Sequence, residues 1–63
     1  DYEKAIESFK QVIRILPDYT FAHYGLGMIY LVQGDKNAAL DEYKILKDLD
    51  QETADRLFDM IYK

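Results

Sequence analysis

Apolar positions recur along the chain at three- and four-residue intervals, the period of an amphipathic helix, and no stretch alternates strictly as a strand would. In the first segment Tyr2, Ala5, Ile6, Phe9, Val12, Ile13 and Leu16 gather in one arc of a helical wheel, which predicts a helix with one buried side. The second segment differs. Its apolar residues form two arcs on opposite sides, Ala22, Leu26, Ile29 and Tyr30 on one and Phe21, Tyr24, Met28, Leu31 and Val32 on the other. A helix that is apolar on two sides has to be covered on both, so this one belongs in the middle of a stack or presents one face to a partner. Gly25 and Gly27 fall near the seams between the arcs, where a missing side chain lets a neighbouring helix approach. Ala39, Leu40, Tyr43 and Leu46 form the stripe of a third helix, and Ala54, Leu57, Phe58 and Ile61 that of a fourth.

The segment boundaries carry their own chemistry. Pro17 disfavours a helical residue before it, and Asp18 can accept the free amides of the next helix as its N-cap. Gly34 supplies the left-handed residue that ends a helix, and Asp35 caps the one that follows. Asp50 is a further cap, with Leu49 and Ala54 placed as a hydrophobic staple around it. These marks predict helices over 2–16, 19–33, 36–49 and 51–62, an all-α chain of antiparallel hairpins.

A shift of 34 residues brings the chain onto itself, pairing Asp1 with Asp35, Ala5 with Ala39, Ile6 with Leu40, Phe9 with Tyr43, Lys10 with Lys44 and Tyr24 with Phe58. The informative feature is an alanine followed four positions later by a ring, the combination that a close helix crossing requires. With that period the sequence resembles the tetratricopeptide repeat family, whose unit is a helix-turn-helix. Leu26-Gly27, Tyr30, Ala39, Tyr43 and Leu46 stand at the family's signature positions. In that register residues 20–53 form one complete repeat, 1–19 the second helix of a preceding unit, and 54–63 a C-terminal or capping helix. Two positions depart from the pattern: His23 stands where a large Trp or Leu is usual, and Gln51 where a proline is usual. The resemblance implies a right-handed α-solenoid fragment whose first helices line a concave groove.

Composition narrows the function. Sixty-three residues allow one small core, and the absence of cysteine with a single histidine removes disulfides and the usual zinc ligand sets. Eight basic against 12 acidic residues give a net charge of -4, which repels nucleic acid. The longest mostly apolar run, Phe21 to Val32, is shorter than the ~20 residues of a membrane span. No basic leader or cleavage pattern is visible, and a lack of cysteine fits a cytoplasmic or a periplasmic setting equally.

The expected site is the second arc, Phe21, Tyr24, Met28, Leu31 and Val32, which periodicity and the family's groove positions mark independently. Rings, a methionine and aliphatics suit an apolar helix or extended segment. The family's carboxylate clamps use Lys, Arg and Asn on this face; Tyr24, Met28 and Val32 stand there instead. The expectation is a non-catalytic module that binds a protein or peptide partner without cofactor or metal. The alternative is structural self-association, a homo-oligomer built by end-to-end stacking or helix swapping. His23 has no accompanying nucleophile or second ligand and reads as a packing histidine. Gly25-Leu26-Gly27 lies inside a helix and is no phosphate loop. The acidic C-terminal half reads as a solvated face laced by Glu52–Arg56 and Asp59–Lys63 pairs.

Overall fold

A computed structural model describes residues 1–63 as four helices, α1 (Tyr2–Ile15), α2 (Thr20–Val32), α3 (Lys36–Leu49) and α4 (Gln51–Tyr62). Three of them start on an aspartate. Asp1 Oδ1 accepts from the Glu3 and Lys4 amides at 3.0 and 3.4 Å, and Asp35 Oδ1 accepts from the Ala38 amide at 3.1 Å. Asp50 accepts from the Glu52 and Thr53 amides and also from the Thr53 hydroxyl at 2.9 Å. Each cap satisfies donors that the first turn leaves free.

The fourth helix start corrects the expectation for Asp18. The residue before α2 is Tyr19, and no side chain caps its amides. The reason is the turn: the Tyr19 amide donates to the Leu16 carbonyl at 3.0 Å, and this closure carries the chain past Asp18 before the helix begins. α1 likewise ends at Ile15, one residue short of the predicted Leu16, which serves as its C-cap. At the other end of α2, Gly34 adopts φ +82°. Its amide donates to the Leu31 carbonyl at 3.0 Å and the Asp35 amide to the Tyr30 carbonyl at 2.8 Å, the bond pair of a Schellman motif. Asp35 thereby closes one helix and caps the next.

α2 is the centre of the fold. It packs against α1, α3 and α4, α3 also packs on α4, and α1 touches α2 alone. Principal extents of 28 × 24 × 14 Å make the shortest dimension about the depth of two packed helices. The core is small: Leu26, Leu46 and Leu57 are its large members, and Ala22, Ala39 and Ala54 bring the helix axes together. Burying each leucine contributes about 1.5–3 kcal/mol. α1 contributes no fully buried residue, so its apolar arc is half-covered where the wheel predicts a buried side.

The glycines set the spacing. A Cβ on Gly25 would stand 2.5 Å from the tip of the Phe9 ring, and one on Gly27 would stand 2.6 Å from Leu57 Cδ2. One glycine admits α1 and the other admits α4, on two different sides of α2. The wheel's division of α2 into two opposite apolar faces therefore needs correction. Ala22 and Leu26 of one arc are buried, and Tyr24 and Leu31 of the other pack against the Leu46–Ala54–Leu57 cluster, while Phe21, Met28 and Val32 of that same arc stay exposed. α2 is covered around most of its circumference.

Candidate partner-binding site

What remains uncovered on α2 is a strip. Phe21 is 68% exposed, Val32 63% and Met28 38%, and the three share one side of the helix by their spacing of seven and four. Of the five residues expected there, these three are open; Tyr24 and Leu31 are half-buried on the α4 side. Tyr24 is held by its ring in the core and by its hydroxyl, which donates to Met60 Sδ at 3.4 Å. It forms a wall of the strip.

The strip continues past the N-terminus of α2. The Tyr19 ring meets Phe21 edge-on with centroids 6.0 Å apart, and Ile15, Leu16, Pro17, Asp18 and Tyr19 line an open hollow of about 370 Å³ at the α1–α2 turn. Ile15 is 78% exposed and Leu16 is more than half exposed. Sequence reasoning assigned Leu16 to a buried arc and missed Tyr19, because the turn that aims both residues outward is set by Pro17 and the Leu16–Tyr19 bond rather than by helical period.

His23 has a structural setting. It is 4% exposed; Nδ1 lies 2.8 Å from Glu42 Oε1 on α3, and Nε2 lies 2.7 Å from the Pro17 carbonyl oxygen in the turn. A ring with both nitrogens engaged inside the protein has no free atom for a substrate or a metal. Glu42 could not be paired with it from sequence, since no local spacing rule links residues 19 apart.

A second group of rings runs along the α3–α4 seam. Tyr43 and Phe58 have centroids 5.3 Å apart and Phe58 and Tyr62 4.8 Å, with Lys36 Nζ 4.3 Å above Tyr62 and Lys47 Nζ 5.7 Å above Tyr43. Tyr43–Phe58 and Lys36–Tyr62 join α3 to α4, whereas Phe58–Tyr62 and Lys47–Tyr43 are contacts four residues apart within one helix. The predicted Glu52–Arg56 and Asp59–Lys63 pairs form at 3.8 and 3.4 Å on exposed surface. Among carboxylates Asp50 stands out. The Thr53 hydroxyl bond, then the Thr53 amide, hold its pKa below the usual value of 3.8. No three metal-ligating side chains converge, and no helix is long and apolar enough to cross a membrane.

Short antiparallel helices stacked around a small-residue seam define a helical-repeat protein. A family model described as "TPR repeat" matches residues 1–34, and the chain belongs to the tetratricopeptide repeat family. The matched stretch is α1, the turn and α2, half a unit out of phase with a repeat spanning 20–53. Comparison with curated proteins and with solved structures gave no match.

Proposed function

We propose that the chain is a non-catalytic protein-binding module whose open strip on α2 receives an apolar segment of a partner protein. Family membership supports the general role, since tetratricopeptide repeats mediate protein–protein interaction. The observation that carries the particular reading is the exposure of Phe21, Met28 and Val32 on a helix that is covered on its other sides. Three large apolar side chains on one line give a partner three contacts at helical spacing, and the Tyr19–Phe21 pair extends the surface at one end. In this reading 20–53 is the complete repeat, 1–19 contributes the preceding second helix, and α4 closes the far wall.

Selection of peptides on the immobilised chain tests it. The expected winners carry apolar residues at a spacing that matches the strip, and Phe21→Asp or Val32→Asp abolishes their binding while the helical signal persists. Winners whose binding survives both substitutions would sink the assignment.

A second reading has its own observation. α1 touches α2 alone and buries no residue fully, and Ile15 and Leu16 are open at its end, so another copy of the chain could cover this edge. Light scattering across a concentration series distinguishes the two. Self-association predicts a mass that rises with concentration, and that rise is suppressed by Ile15→Lys.

A further inference from the structure

Phe21 and the hollow at the α1–α2 turn lie side by side. Ile15, Leu16, Pro17, Asp18 and Tyr19 line a concavity of about 370 Å³, and the Tyr19 ring at its rim meets the Phe21 ring with centroids 6.0 Å apart. Phe21 stands outside the hollow with most of its surface in water. One face of the chain thus carries a projecting ring and, next to it, a largely apolar depression. An apolar cavity of about 150 Å³ admits a benzene ring, so the hollow has room for a phenylalanine side chain.

A knob beside a hole makes a surface complementary to itself. In a two-fold contact, residue i meets residue j and j meets i. Two copies related by an axis that runs between ring and hollow therefore place each ring over the other's hollow. An unrelated partner would have to supply both shapes; a second copy already has both. Asp18, the one charged residue of the lining, is exposed and can stay at the rim in water.

The available area is that of a specific interface. Ile15, Leu16, Tyr19, Phe21, Met28 and Val32 run from the turn along one side of α2, with exposures between 38% and 78%. At roughly 200 Å² for a fully open large side chain, they leave about 700 Å² uncovered, or about a sixth of the chain's 4333 Å² of surface. The largest apolar patch of a typical monomer is about 300–600 Å². Covering the strip on two copies removes about 1,400 Å² from water, inside the range of roughly 1,200–2,000 Å² that specific interfaces bury.

We propose that the occupant of the strip is a second copy of this chain, an assignment that rests on the strip's being a docking surface. The two copies form a closed two-fold dimer in which Phe21 of each seats in the Ile15–Leu16–Tyr19 hollow of the other. Such a contact uses the patch on both copies and stops at two, whereas a head-to-tail contact would leave one patch free and continue into a filament.

Sedimentation equilibrium of the full chain from micromolar to millimolar concentration tests the dimer. Alone, Phe21→Asp and Ile15→Lys should each raise the dissociation constant about tenfold or more, because each puts a charge into both ring–hollow contacts. Their equimolar mixture should dimerise again. In the mixed pair one contact keeps the native ring and hollow, and the other sets the introduced carboxylate against the introduced ammonium. A parent chain that stays monomeric at millimolar concentration overturns the dimer, as does a mixture no tighter than the variants alone. Peptides captured by a monomeric parent and lost on Phe21→Asp would sink the second copy and leave the strip standing. A dimer and a peptide capture that both survive Phe21→Asp would sink the two together. Should a variant fold poorly, nuclear Overhauser contacts between labelled and unlabelled parent chains decide. Cross-chain contacts from the Phe21 ring to Ile15 or Leu16 support the dimer, and their absence in a dimeric sample overturns it.

Discussion

Gly27 lies so close to Leu57 that a methyl group added to the glycine would stand 2.6 Å from one leucine methyl carbon and 3.0 Å from the other. Leu57 is wholly buried beside Leu46 and Ala54, so it cannot swing away without opening the core. Gly27→Ala should therefore destabilise the protein. Overpacking costs about 1–3 kcal/mol, and the better helix propensity of alanine returns about 1. A net loss near 1 kcal/mol is expected in denaturant unfolding, and a gain in stability would mean that the α2–α4 contact is looser than described.

Gly25→Ala meets a different neighbour. The ring of Phe9 belongs to α1, which packs on α2 alone, so the strain can be relieved by moving α1 outward. Amide exchange should accelerate in α1 while α3 and α4 keep their protection. Uniform acceleration across all four helices would show that α1 is not the element that yields.

Gly34→Ala separates backbone strain from packing. Nothing lies within 4 Å of the added carbon, but φ is +82°. The left-handed conformation costs an alanine about 1–2 kcal/mol, so a loss of that order is expected without any steric contact. Gly34→Asn should recover part of it, because asparagine tolerates this region better.

Asp50 links the cap between α3 and α4 to pH. Its pKa is lowered in the folded state, chiefly by the Thr53 hydroxyl. The folded state thus favours the carboxylate, and the contribution is present above the ordinary value of 3.8 and is lost as the pH falls below it through the folded value. Asp50→Asn keeps an N-cap acceptor while removing the charge, so its melting temperature should drop less steeply on acidification than the parent's. Equal slopes would dissociate the cap from the acid limb.

Tyr24 and Phe21 should differ in what their loss costs the fold. Phe21 is 68% exposed, so Phe21→Ala is expected to move stability by no more than about 0.5 kcal/mol while weakening partner capture. Tyr24 packs on the core cluster and donates to Met60, so Tyr24→Ala should lower the melting temperature as well. Equal losses of stability would place Phe21 inside the packing rather than on an open surface.

How much of this was readable beforehand follows the range of each interaction. Helix positions and three of the four caps depend on residues within one turn of each other, and α3 and α4 begin and end where the pattern placed them. The cap at Asp18 failed because a hydrogen bond between Leu16 and Tyr19 outcompeted the local preference of one side chain. All five residues of the second arc were visible on the wheel, yet the covering of Tyr24 and Leu31 was not, since periodicity records which residues are apolar and not which helix arrives beside them.

The order of residues alone thus determined an all-α chain, its four helices, the glycine-terminated end of α2 and the repeat period, because backbone hydrogen bonds and caps act over three to five positions. Tertiary structure decided which side of α2 stays open and which acceptors hold His23. Those outcomes depend on how closely Gly25 and Gly27 let α1 and α4 approach, and on a glutamate 19 residues from the histidine that only helix packing brings within 2.8 Å.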